Sequence, residues 1–94
     1  MGAPSGERFH HVLVSVFDAR KGSRLTDLEV KARIGELGLA ETVKRLEPMV
    51  IGDTVTYGNY FSMPAAGPYI IRVEMRRPGE QRWLHVEFEY RHIR

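Results

Sequence analysis

The chain has 94 residues, 43% apolar and 28% charged, enough for one small core and too few for two. Fourteen Lys and Arg against 12 Asp and Glu leave a formal charge of +2, too little for the broad positive field that nonspecific phosphate binding needs, so nucleic acid is not implied. The absence of Cys excludes disulfides, thiolate catalysis and Cys-based metal sites. The apolar runs fall far short of the roughly 20 residues of a membrane-spanning helix, so no direct membrane insertion is expected.

Residues 1–8 read as a flexible lead-in of small and turn-forming residues, followed by one domain over 9–92. The lead-in has neither a basic n-region nor an apolar h-region, so no secretion signal stands at this start. Residues Phe9 to Phe17 alternate, with His10, Val12, Val14 and Val16 on one side, and predict a first strand. A turn follows around Lys21-Gly22-Ser23. Leu28, Val30, Ala32 and Ile34 alternate with Glu29, Lys31 and Arg33, and this strict period of two favours a strand over the helix that the composition would tolerate. Thr42 to Glu47 predicts an edge strand ended by Pro48.

Thr54 to Ser62 is rich in β-branched and aromatic residues, with Gly58 at a bulge or a close backbone approach. Pro64 to Pro68 is a turn. Tyr69, Ile71, Val73 and Met75 then alternate with charged residues, and Tyr69 after Gly67-Pro68 suggests a tyrosine corner. After a connection at Arg77 to Gln81, Leu84, Val86, Phe88 and Tyr90 alternate with His85, Glu87 and Glu89. Six or seven short strands with turns between them predict an all-β, immunoglobulin-like antiparallel β-sandwich. Its expected core is Val12, Val14, Val16, Val30, Ile34, Ile71, Val73, Val86 and Phe88.

Few residues offer chemistry. His10 and His11 leave opposite faces of the first strand, so at most one serves a given metal site. Met49 follows Pro48 where its thioether can meet a soft ion such as Cu(I), whereas Met63 and Met75 read as core residues. His85 and His92 read as surface histidines. Asp18 near Ser15 has no nucleophile-elbow spacing or oxyanion loop around it, so no catalytic set is recognised and the chain is not expected to be an enzyme. Arg76, Arg77 and Arg82 flank one hairpin and suit solubility or an acidic partner.

The segment Leu46-Glu47-Pro48-Met49-Val50, then Asp53, Tyr57-Gly58-Asn59, Pro64, Gly67, Tyr69 and Pro78 resembles the periplasmic iron-transport proteins that accompany bacterial high-affinity ferrous-iron permeases. The resemblance implies an immunoglobulin-like sandwich, commonly dimeric, that binds copper and iron. It places Met49 at the family's methionine ligand and His11 at its early histidine, with His10 as the substitute if the strand register is reversed. Thr56 stands where the family has a histidine ahead of Tyr-Gly. A copper or iron ion, a membrane transporter or a second copy as partner, and a periplasmic or otherwise exported location are what the resemblance implies. The alternative is a protein–protein interaction module without metal.

Overall fold

The computed structural model describes residues 9–92, so the lead-in over 1–8 lies outside the described residues. Six strands carry the fold: β1 Phe9–Val14, β2 Glu29–Glu36, β3 Thr42–Ile51, β4 Thr54–Ser62, β5 Tyr69–Arg76 and β6 Leu84–Tyr90. They run in the order β1-β4-β3-β2-β5-β6 with every neighbouring pair antiparallel. The chain is all-β and sandwich-like, as the alternation predicts, and Asp27 to Glu36 contains no helix.

β3 makes this one curled sheet. Its first half pairs with β2, from Thr42 opposite Ile34 to Leu46 opposite Val30. Its second half pairs with β4, from Glu47 opposite Gly58 to Ile51 opposite Thr54. The strand therefore passes from one layer to the other between Leu46 and Glu47. This corrects the expected stop at Pro48, since the strand runs on to Ile51. Pro48 is tolerated because this half of β3 is paired on one flank only.

The core fills the inside of the curl. Val30, Ala32 and Ile34 of β2, Leu46 of β3, Tyr57 and Phe61 of β4, and Tyr69 and Val73 of β5 are buried together with Met63. Val12, Val14, Val16 and Ile71 are partly buried against them. Tyr69 makes the expected corner: its hydroxyl donates to the Ala65 carbonyl at 2.9 Å and accepts from the Ala65 amide at 2.9 Å. Tyr57 makes a second such tether, donating to the Leu25 carbonyl and accepting from the Leu28 amide, each at 3.0 Å.

Two core assignments need correction. Val86 and Phe88 face the same side as Val73 and Ile71, their partners across the β5–β6 pairing, yet they are 47% and 54% exposed. The alternation finds the inward face of β6, but β6 is the last strand of the curl and, among the described residues, none covers that face closely. β1 also ends earlier than expected, at Val14 rather than Phe17. There the chain leaves β4 for a turn in which Asp18 Oδ1 accepts the amides of Arg20 and Lys21 at 2.9 and 2.8 Å, a side-chain-capped turn. Those two backbone bonds, the Lys21 one foremost, hold the Asp18 carboxyl below its ordinary value.

Candidate functional site

His11 and Met49, the two residues singled out as metal ligands, flank β4 on the face turned away from Tyr57. Pairing places His11 opposite Tyr60 and Met49 opposite Thr56. Tyr60 and Thr56 share one face of β4 but stand four residues apart, about 14 Å along a strand rising ~3.4 Å per residue. In this register the two side chains are not neighbours. His11 instead stacks on Tyr60, with ring centroids 4.4 Å apart and planes 17° from parallel.

Gly58 makes room for this stacking. A Cβ there would lie 2.7 Å from Leu13 Cδ2 and 3.0 Å from His11 Nε2, so the lack of a side chain lets both residues lie over β4. The close approach expected at Gly58 is present, and the β1–β4 register runs through it without a bulge.

Level with Met49 the arrangement is different. Val14 pairs with Tyr57, so Ser15, the next residue, comes level with Thr56. Arg24, from the β1–β2 connection, reaches over both: its Nη1 donates to Ser15 Oγ at 3.2 Å and to Thr56 Oγ1 at 3.4 Å. Its guanidinium carbon lies 5.0 Å from the centroid of the Phe17 ring, a cation–π contact. Thr56 is the one buried polar residue among those described, and this long-range bond satisfies it.

His10 points the other way, toward the inside of the curl. Its ring lies 4.5 Å from that of His92. The His92 imidazole also meets the Met63 carbonyl through Nε2 at 3.1 Å and the Tyr90 hydroxyl through Nδ1 at 3.2 Å. This revises the reading of His92 as a surface side chain; it is half-buried and ties the end of β6 to the start of β1. His85 is exposed, as expected. Among the described residues no group of three or more His, Cys, Asp or Glu is placed to hold a metal ion.

Among the described residues no strand pairing closes the curl between β1 and β6. One cavity of about 380 Å³ is lined by Leu13 to Phe17 on one side and by Val73, Met75, Val86 and Phe88 on the other. A second, of about 320 Å³, continues it toward His10, Met63, Ile71 and Tyr90. This mouth is mainly apolar between Leu13 and Phe88 and becomes polar toward His10 and His11, and it is bounded by the two strands that end the sheet.

Against this geometry, the family profile described as Fe2+ transport protein matches residues 15–91. The chain belongs to the Fe2+ transport protein family. That family is a class of transport proteins rather than of enzymes. The matched span begins at Ser15, so Met49, Thr56 and Arg24 lie inside it, whereas His10 and His11 lie before it. Comparison with curated proteins and with solved structures yields no match.

Proposed function

We propose that this chain serves Fe2+ transport as an exported, non-catalytic interaction domain beside an iron permease, and that it works as a dimer joined through β6. The observation that carries the reading is β6 itself. Every residue of the strand is exposed, although Leu84, Val86, Phe88 and Tyr90 alternate as they would in a buried strand. With exposures of 61%, 47%, 54% and 41%, they form a contiguous apolar strip beside a sheet edge that no strand among the described residues pairs with, a combination that invites another strand.

A second copy fits that edge. Antiparallel pairing of β6 with β6 about a two-fold axis at Glu87 sets Val86 against Phe88, Leu84 against Tyr90 and His85 against Glu89. The apolar strips join on one face, and on the other each histidine meets a carboxylate. Glu87 would meet its own copy at the axis, but in each chain it is already bound by Arg72, with Nη2 at 3.0 Å and Nε at 3.2 Å. The same bond raises the Arg72 pKa from its ordinary value.

Sedimentation equilibrium over a range of concentrations tests the reading. The expected result is a dimer that Phe88→Lys and His85→Glu each dissociate, with the pair His85→Glu and Glu89→Lys restoring it. A chain that stays monomeric at about 100 µM, near the weak end of specific association, refutes the β6 dimer. Fractionation of cells producing the full-length protein tests the exported location, which a cytosolic pool would overturn.

A further inference from the structure

We infer that Arg24 is a fixed cation standing in for an exchangeable one, and that it keeps metal ions off the β1–β4–β3 face beside Met49. The residues present do not suit a soft ion. Met49, opposite Thr56 on β4, offers a thioether. Its cross-strand neighbour Thr56 offers a hydroxyl, a weak donor for such an ion, and that hydroxyl is engaged by Arg24 at 3.4 Å. His11 is displaced along β4 to Tyr60. Ser15 Oγ, the other oxygen within reach, is held by the same guanidinium at 3.2 Å.

Arginine retains its charge at every pH the fold survives, so the positive charge beside Thr56 is permanent. A like charge within about 4–6 Å opposes the binding of a proton by roughly one to three powers of ten, and a metal cation meets the same repulsion. The guanidinium also does what a bridging ion would do mechanically. It joins the tail of β1 at Ser15, the β1–β2 connection and the middle of β4, and Phe17 covers it.

The test measures Cu(I) affinity by competition with a chromogenic chelator and follows the Met49 methyl and His11 ring resonances. Thr56→His alone should gain less than about threefold, because Arg24 stays beside the new imidazole. Arg24→Met combined with Thr56→His should bind more tightly than Thr56→His alone by between about tenfold and a thousandfold, with the Met49 methyl shifting. Arg24→Lys combined with Thr56→His keeps the charge and should remain weak, which separates repulsion from steric blocking and supplies a readout should the Met variant fail to fold. Tight binding by Thr56→His with Arg24 in place, or by the Lys variant, overturns the inference. So does a Cu(I)-induced shift of the Met49 methyl in the unaltered chain. None of these measurements reads molecular mass, so their failure leaves the β6 dimer standing, and the loss of that dimer leaves this inference standing.

Discussion

Single side chains hold the connections of this fold, and two tyrosines do so most directly. The Tyr57 hydroxyl satisfies both a carbonyl and an amide of the segment before β2, and Tyr69 does the same within the turn before β5. Tyr57→Phe leaves both backbone groups without that partner and should cost about 1–3 kcal/mol in urea unfolding. Glu74 supplies the pH dependence. Burial raises its carboxyl, but the hydrogen bond from Arg33 Nε at 2.7 Å and the surrounding positive charge outweigh that, so its pKa ends below the ordinary glutamate value. A carboxyl lowered in the folded state contributes stability that is full above its unfolded pKa and is lost as pH falls through the folded one. Glu74→Gln should therefore flatten the acid limb of a plot of melting temperature against pH, with its effect vanishing once both states are protonated. The Tyr69 corner was legible in the sequence because its partner lies only four residues away. Arg24 and His92 were not, because the partners that bury them in the fold, Thr56 and Met63, sit 32 and 29 residues away, and no local pattern announces a pairing made by the fold.

At the level of strands, alternation names the two faces of an element but not what covers each face. β2 and β6 show the difference. Both alternate cleanly, yet β2 lies between β3 and β5 with its apolar face buried, while β6 has β5 on one side and, among the described residues, no strand on the other. Val73→Ala, in buried β5, should cost about 2 kcal/mol. Phe88→Ala, on β6, should cost less than about 1 kcal/mol when unfolding is measured at low protein concentration. At high concentration the cost should rise, because association through β6 adds its free energy to that of folding. Equal and concentration-independent costs at the two positions would mean that β6 is packed within the single chain. The reading of β3 shows a second limit. Pro48 marks where a strand paired on both flanks would have to stop, but a strand that changes layers two residues earlier passes through it with one flank free.

Across the whole molecule, the described chain begins and ends at one place. His10 and His92 lie ring against ring with centroids 4.5 Å apart, although they are separated by nearly the full described length. The described segment is thus already close to a loop, and joining its two ends near His10 and His92 with a few flexible residues would demand little of the fold. The turn at Gly79, with φ of 84° and exposed residues around it, is the natural place to reopen the circle. Such a circular permutant starts with β6, runs on into β1 and finishes with β5. It should melt close to the parent, since among the described residues the backbone hydrogen bond that spans the cut is the one the Glu80 amide donates to the Arg77 carbonyl. The two strands that frame the mouth, farthest apart in the natural order, would then be consecutive, and the width of the opening would become adjustable by the length of one linker.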